Sequence, residues 1–256
     1  MARDFTLFAY ELILQTLQEQ GYETSTVLQA IERRPADRRV AVLRHDVDRK
    51  PLNALAMAEL ENAMGIRSTY YFRIKPCSFV PPIVSRIAKL GHEVGYHYED
   101  FHTAKYDANL AIELFNKNLA ALRKLAPVST ISMHGSPLSK YNNMKLWETK
   151  SFQKLNVFDC TLSNDWSSYF YFTDTGRCFN GSSTNLRDYI VANTEPLVGT
   201  TKQLVEFIKS SGKPHLKISI HPERWDDNIV NWSLQLTKDY TINSIKRVLQ
   251  VARPRH

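Results

Sequence analysis

The segment VAVLRHDVDRKP, residues 40–51, joins an apolar run to two carboxylates, Asp46 and Asp48. Successive side chains of an extended strand alternate between its faces, so both carboxylates should point to one side and His45 to the other. Charged groups are costly to bury unless they are paired or bind a metal ion. One carboxylate could therefore hold a metal ion while its neighbour takes the proton from an attacking water molecule.

Other predicted strands also end in titratable residues, namely Arg73, the segment 97–100 (HYED), His134 and His221. Because the carboxyl ends of parallel strands converge in an α/β barrel, we expect these residues to build one site. Asp48, His97 and a further imidazole would suit Zn²⁺ or a similar divalent ion and leave a position open for water or substrate. His221, from the far end of the chain, could protonate a leaving group.

A purely structural interpretation of the two aspartates is also available. They could cap the helix that starts at Pro51 and pair with Arg44 or Arg49. We favour a functional role, because capping explains one aspartate but not two on the same side of a strand, and because the other strands also end in titratable groups.

The elements that must position these residues follow from the hydrophobic periodicity. Repeated strand–helix units with nearly continuous apolar strands are typical of a parallel sheet covered on both faces. We predict one domain over residues 1–256, with a helical lead-in (1–37), a barrel of seven or eight mostly parallel strands, and a C-terminal helix and basic tail (222–256). The expected strands are 38–45, 66–74, 92–97, 128–134, 156–162, 168–173 and 215–221, and the expected helices are 5–20, 51–65, 81–91, 107–125, 200–211 and 232–251.

The composition of the 256 residues, 43% hydrophobic and 23% charged, is that of an ordinary globular protein. The net charge of +7 is concentrated after residue 200, where ten Lys and Arg face five Asp and Glu. This basic part could contact an anionic membrane, although a solvated face is the simpler interpretation, and no nucleic-acid-binding motif accompanies it. We therefore expect no nucleic-acid partner.

Localisation is inferred from the cysteines and from the hydrophobic segments. The first residues have neither the basic start nor the unbroken apolar centre of a signal peptide, and no run approaches the about 20 apolar residues of a transmembrane helix. Three widely spaced cysteines, Cys77, Cys160 and Cys178, form neither a metal-binding pair nor a disulfide framework. We expect a cytoplasmic protein without a transmembrane segment.

Four segments together resemble a known family: LRHDVDRKPLNALAMAELENAMGIRSTYYFR, GHEVGYHYED, SMHGSP and ISIHPERW. They are similar to polysaccharide deacetylase-like proteins of the NodB-homology group (carbohydrate esterase family 4-like), in particular the branch associated with bacterial O-antigen and surface-polysaccharide biosynthesis. The resemblance covers roughly residues 40–225. It implies a deformed (β/α) barrel that hydrolyses N- or O-acetyl groups on sugars with a divalent metal ion.

The resemblance also implies roles for individual residues. Asp46 matches the base, Asp48 a metal ligand, His97 the first histidine of an H-[ST]-x-x-H motif, and His221 the general acid. The second histidine of that motif is replaced by Phe101.

His102, one residue after Phe101, could replace the missing histidine only if the segment is not a regular helix. The family's arginine–proline motif is also absent, and MHGSP stands near its place. We favour His134 as third ligand because it closes a strand, with His102 as the alternative.

Substrate contacts are expected from residues around this site. Indole rings stack on the C–H faces of sugars, and charged groups can reach hydroxyls or a substrate anion. The candidates are Arg73, Glu99, Trp166, Asp174, Arg177 and Trp225.

The sequence thus predicts a metal-dependent deacetylase, with Zn²⁺ the favoured ion. Its substrate would be an acetylated amino sugar, carried as a nucleotide-sugar or a lipid-linked saccharide. Two alternatives stay open. Phe101 motivates a catalytically inactive, saccharide-binding barrel that has lost a metal ligand, and the two aspartates do not exclude a metal-dependent enzyme that hydrolyses another amide or a glycosidic-type bond.

Overall fold

The computed structural model describes residues 3–33, 38–135, 142–179, 198–210, 212 and 215–252, with side chains as far as Ser244, and its central element is strand β2 (Val40–Val47). Every residue from Ala41 to Val47 is buried. β2 pairs in parallel with three other strands, so neighbouring strands lie along both of its edges. The continuous apolar start of this segment is what such a position requires.

Among the described residues, eight parallel strands form one sheet. They are β1 (Glu23–Ser25), β2, β3 (Thr69–Phe72), β4 (Glu93–Tyr98), β5 (Thr130–Met133), β6 (Phe158–Asp159), β7 (Phe170–Thr173) and β8 (His215–Ile220). The order is β6-β5-β4-β3-β2-β8-β7, and β1 pairs with the first half of β2. Within the described ranges β6 and β7 do not pair, so the sheet is an incomplete, deformed (β/α) barrel. The predicted fold class is confirmed.

The helices cover the sheet and agree with the six predicted ones to within a few residues. They are α1 (Leu7–Glu19), α2 (Val27–Glu32), α3 (Pro51–Ala63), α4 (Pro81–Lys89), α5 (Asp100–Thr103), α6 (Ala108–Arg123), α7 (Leu146–Thr149), α8 (Thr201–Ser210) and α9 (Ile229–Ala252). β1, α2, α5 and α7 were not predicted, because three to six residues carry too little periodicity. The segment predicted as a helical lead-in therefore also adds a strand to the sheet.

The C-terminal part of the chain forms the predicted long helix, α9. Of the basic tail, the side chains after Ser244 and the whole of residues 253–256 lie outside the described residues. Over the ranges that the structure describes, no helix combines the length and the apolar character needed to cross a membrane.

The alternation of side chains along β2 separates two environments. Ala41 and Leu43 pack in a core with residues of α1 and α8, on the outer face of the sheet. Val42 belongs to a separate cluster with residues of α2 and the loop before β7. Arg44 and Asp46 share the parity of Val42, so they lie on the inner face of the barrel.

On the outer face, a fully buried carboxylate joins α3 to the sheet. Glu61 accepts hydrogen bonds from the hydroxyls of Ser68 (2.6 Å), Tyr70 (2.7 Å) and Tyr10, and its Oε1 lies 2.7 Å from Nε2 of His45. Burial raises the pKa of Glu61, but the neighbouring His45 outweighs it and lowers the pKa to about 2. His45 is thus turned away from the aspartates, as alternation predicts, and contacts Glu61 on α3.

We predict that Glu61→Ala lowers the free energy of unfolding by about 3–5 kcal/mol, because it leaves buried partners of a charged group unpaired. Urea unfolding followed by circular dichroism measures this loss. Glu59→Ala is the matched control on the same helix, since the Glu59 side chain is half exposed, and it should change stability by at most about 0.5 kcal/mol.

The same carboxylate gives stability a pH dependence. A folded-state pKa of about 2, below the usual 4.5 of glutamate, makes the contribution of Glu61 complete above about pH 4.5 and progressively lost as the pH falls towards 2. In the Glu61→Ala variant, this part of the loss of stability at low pH should be absent. Equal losses of stability in the Glu61 and Glu59 variants would contradict the assignment.

Candidate active site

The carboxyl ends of four strands meet at one end of the barrel. β2 contains Asp46 and is followed by Asp48, β4 contains His97, and β5 and β8 are followed by His134 and His221. The strand order β5-β4-β3-β2-β8 places these ends next to one another. The five residues that the sequence predicts as a metal-binding and catalytic set are therefore close in space.

Asp48 lies between two imidazoles. Its Oδ1 is 3.6 Å from Nε2 of His97 and 3.4 Å from Nε2 of His134, and it is buried without a hydrogen-bond partner in the structure. Nδ1 of His97 lies 3.0 Å from the carbonyl oxygen of Ser132, so it donates there and leaves the Nε2 lone pair towards Asp48. Two ligands bonded to one tetrahedral Zn²⁺ at about 2.1 Å are separated by about 3.4 Å.

These donor types and the two distances fit a divalent ion held by Asp48, His97 and His134. Across the ranges that the structure describes, however, no group of three or more His, Cys, Asp or Glu side chains is arranged so that it could hold a metal ion as it stands. The donors are close enough to be drawn together by an ion, and the orphaned oxygen of Asp48 is the atom that such an ion would satisfy.

The ring nitrogen of His134 that does not face Asp48 is contacted by an ion pair. Oε2 of Glu99 lies 3.3 Å from Nδ1 of His134, and the Arg73 guanidinium donates to both oxygens of Glu99 at 2.9 Å. The sequence predicts Arg73 and Glu99 as substrate contacts. The structure instead pairs them with each other, and they position the histidine.

Burial and charge give the two imidazoles opposite protonation behaviour. Burial lowers the pKa of His97 to about 4, so this ring is neutral near pH 7. Burial also opposes the charge on His134, but the carboxylates of Asp48 and Glu99 outweigh it and raise its pKa to about 9. Burial disfavours ionised Asp48 as well, yet the adjacent His134 holds its pKa well below the usual range.

Asp46 is fixed by an arginine from its own strand. Arg44 donates from Nε to Oδ1 (3.2 Å) and from NH2 to Oδ2 (2.5 Å), and also contacts Ser132 Oγ (2.9 Å) and Cys160 Sγ (3.0 Å). Although burial raises the pKa of Asp46, Arg44 outweighs it and lowers the pKa to about 2. Neither aspartate caps α3, whose first turn has no side-chain cap.

Nε2 of His97 lies 4.0 Å from Oδ2 of Asp46, which places Asp46 beside the candidate metal ligands. From the sequence, Arg44 is expected only as a structural partner of the aspartates. The signal that identifies it as part of the site is its position two residues before Asp46, which puts both side chains on the inner face.

His221 is held by a buried aspartate. Nδ1 of His221 lies 2.6 Å from Oδ1 of Asp174, whose oxygens also accept from Arg224 (3.0 Å) and from Trp225 Nε1 (2.8 Å). Burial and Arg224 lower the pKa of His221, but Asp174 outweighs them, so the pKa is raised. Asp174, predicted as a substrate contact, is completely buried and orients the histidine instead.

Glu223 is a further carboxylate near the site that the sequence analysis did not single out. It is completely buried, its Oε1 lies 3.5 Å from NH2 of Arg49, and its Oε2 has no hydrogen-bond partner in the structure. Burial, and then the charge of Asp48, raise its pKa. Only its position in the segment HPERW, directly after β8, could have pointed to it.

The other three predicted substrate contacts have buried side chains. Trp225 is 1% exposed and belongs to the outer core with α1. Trp166 is 3% exposed and covered by the Lys217 ammonium, 3.5 Å from its ring centroid. Arg177 donates to Asp239 at 2.9 Å. Polar neighbours in the sequence suggest that both indoles lie in exposed loops. Both are buried instead, because burial of their large apolar area is favourable.

The structure separates the two candidates for the third ligand. His102 is exposed on the short helix α5, with Nδ1 3.4 Å from the Tyr106 hydroxyl. Its backbone N–H donates to Oδ1 of Asn143 (2.9 Å). Of the two candidates, His134 is the one that lies close to Asp48, with 3.4 Å between its Nε2 and Oδ1 of Asp48.

Comparison with known proteins gives matches to solved structures alone. No family model and no curated protein matches the chain. A family 4 carbohydrate esterase from Bacillus anthracis shares 13% identity over 91% of this chain and 86% of its own, with a TM-score of 0.41. A Streptococcus mutans CE4 esterase shares 13% over 89% and 87%, with a TM-score of 0.47.

The peptidoglycan deacetylase PdaC from Bacillus subtilis shares 11% identity over 82% of this chain and 97% of its own, with a TM-score of 0.39. These similarities are too low to carry an activity from one chain to another.

We predict that nitrogen NMR of the imidazoles in the metal-free protein shows His97 neutral down to about pH 4 and His134 charged up to about pH 9. Glu99→Gln should lower the pKa of His134, because it removes one of the two carboxylates that favour the charged ring, and leave His97 unchanged. Titration of both rings together near the ordinary value of about 6.5 would show that the described arrangement is wrong.

Proposed function

We propose that the protein is a metal-dependent hydrolase that removes the acetyl group from an acetylated amino sugar. The observation that carries the proposal is the position of Asp48 Oδ1, buried and unpartnered 3.4 and 3.6 Å from two imidazole nitrogens, beside a second aspartate. This is the donor set of a catalytic metal site with an open position. The sugar substrate is supported by the motif resemblance in the sequence.

Asp48, His97 and His134 would hold the ion. When bound, a divalent ion such as Zn²⁺ polarises the acetyl carbonyl and lowers the pKa of a bound water molecule. The contacts from Ser132 to His97 and from Glu99 to His134 fix the orientation of both rings, as outer partners of metal-binding histidines do.

Asp46 is the base in this proposal. With a pKa of about 2 it is a carboxylate throughout the neutral range, and the two bonds from Arg44 hold it in one orientation. It therefore accepts the proton from the attacking water molecule without first having to lose one itself. Its position beside His97 keeps it near the reacting atoms.

His221 is the acid. Its Nδ1 is occupied by Asp174, so Nε2 is the nitrogen that can donate a proton to the departing amine. The raised pKa keeps the ring protonated to a higher pH than an ordinary histidine. Asp174 acts only through His221, and we assign it as a positioning residue.

We further propose, from the motif resemblance, that the substrate is a nucleotide-sugar or a lipid-linked saccharide in cytoplasmic assembly of a bacterial surface polysaccharide such as O-antigen. The three cysteines are free thiols, as a reducing compartment requires. The basic residues after 200 would provide a peripheral contact with an anionic membrane that carries such a substrate.

The choice of third ligand predicts a difference between two histidine variants. His134→Ala should weaken Zn²⁺ binding at least about a hundredfold, because it removes a ligand, whereas His102→Ala should leave it unchanged. Isothermal titration of the chelator-treated protein, checked by elemental analysis, measures both. A larger loss in His102→Ala would transfer the ligand role to His102.

The proposed base predicts a separate loss of turnover. Asp46→Asn should lower the rate of acetate release from an N-acetylated amino sugar by about 10²–10⁴-fold with its zinc content retained. Asp165→Asn, at an exposed aspartate, is the matched control and should retain full activity. Unchanged acetate release in Asp46→Asn would refute this mechanism.

The same assays distinguish the alternatives. Sugar binding without metal uptake or acetate release would favour the inactive, saccharide-binding barrel. Release of reducing sugar ends, or of an amine without acetate, would favour cleavage of a glycosidic bond or of another amide.

A further inference from the structure

A cavity lies at the end of the barrel opposite to the candidate active site. It has a volume of about 400 Å³ and is bordered by the whole of β1 and by Val40, where β2 begins. Val40 and Val47 stand at the two ends of β2, so about 23 Å of strand separates this cavity from the candidate active site. The cavity is therefore a distinct feature of the molecule, within the usual volume range of small-molecule sites.

The border of this cavity is positively charged. Arg33, Arg38 and Arg67 line it together with one carboxylate, Glu23. Glu23 lies 3.5 Å from Arg38 and offsets its charge. Among the described residues, the guanidinium groups of Arg33 and Arg67 have neither an ion-pair nor a hydrogen-bond partner. Two planar five-donor groups are thus available to an anion.

A buried hydroxyl provides a second, independent indication of a ligand. Tyr169 also lines the cavity, is 1% exposed, and its hydroxyl has no hydrogen-bond partner in the structure. A buried polar group without a partner is costly, and the ring is held by edge contact with Trp166 (4.9 Å between centroids). Burial raises the pKa of Tyr169 to about 12, so the hydroxyl stays protonated and donates.

The space continues beyond the arginines. A neighbouring cavity of about 320 Å³ shares Gln29 and Arg67 with the first. Arg67 therefore stands at the border between the two spaces. A ligand whose anionic group is bound at Arg67 has room on both sides for an uncharged part the size of a sugar.

We infer that the cavity lined by Arg33, Arg67 and Tyr169 binds the phosphate group of a phosphorylated small molecule. Guanidinium groups match the tetrahedral, multiply charged phosphate oxygens with paired hydrogen bonds, and the tyrosine hydroxyl adds a neutral donor. Arg33 and Arg67 are exposed, so a ligand can reach both, and a phosphate dianion can pair with two guanidinium groups at once. The site is separate from the proposed deacetylation and does not depend on it.

Isothermal titration with inorganic phosphate and with glucose 1-phosphate tests the inference. Saturable binding is expected, weaker at high salt. Arg67→Gln should weaken phosphate binding at least about tenfold, because it removes one good charged hydrogen bond. Tyr169→Phe should weaken it by a smaller factor, because it removes a neutral one. Lys202→Gln is the charge-matched control, because the Lys202 side chain is 85% exposed on α8, and it should bind like the wild type. Thermal unfolding shows whether each variant is folded.

Two further arms identify the site and the source of the phosphate. Asp48→Asn should bind phosphate normally, which excludes the candidate metal centre as the binding place. The protein could instead sediment with vesicles that contain phosphatidic acid and not bind the soluble probes. If Arg67→Gln then abolishes this sedimentation, the same site binds a lipid headgroup. No binding in either arm, or equal weakening by Arg67→Gln and Lys202→Gln, would overturn the inference.

Discussion

The desolvation of acidic groups at the carboxyl end of the sheet is the constraint on which the rest of the structure depends. A buried carboxylate is costly unless a cation or donor compensates it, and the structure supplies a compensating group for almost every one. The pairs are Asp46 with Arg44, Glu99 with Arg73, and Asp174 with His221 and Arg224. The charge of Asp48 is favoured by His134, although its Oδ1 makes no close hydrogen bond, and one oxygen of the buried Glu223 also has no partner. The two carboxylates that are not fully satisfied thus lie near each other at the candidate active site.

The two faces of β2 connect this site to the stability of the fold. Arg44 and Asp46 project into the barrel, while His45 between them projects outwards to Glu61 on α3. Moving the strand by one residue would exchange these environments, leaving an aspartate against α3 and a histidine at the site. The buried network around Glu61 therefore stabilises the register that the site needs, although it contacts no candidate site residue directly.

The sequence predicted what depends on local pattern. The apolar run before Asp46 identified the central strand, and alternation placed both aspartates on one side of it. The preference for His134 over His102 followed from its position at a strand end, and the structure places it beside Asp48. Contacts between distant segments were not predictable, because spacing along the chain does not show which partner satisfies a buried charge. Asp174 is the example, since its attachment to His221 depends on the folding of a loop 47 residues earlier onto β8.

The interior between the two ends of the barrel is filled by a continuous series of contacts. Trp166 packs against Tyr169 on one side and under the Lys217 ammonium on the other. Lys217 donates to the Cys160 carbonyl oxygen at 3.0 Å, and the Cys160 thiol lies 3.0 Å from the arginine that holds Asp46. Such a series does not by itself transmit binding, because coupling requires an element with two arrangements that each site favours differently. These groups are all buried and closely packed, so they fix the distance and orientation of the two ends. A ligand at the arginine-lined cavity would therefore be held in a constant position relative to Asp46, and no ligand could extend from one end to the other through the barrel.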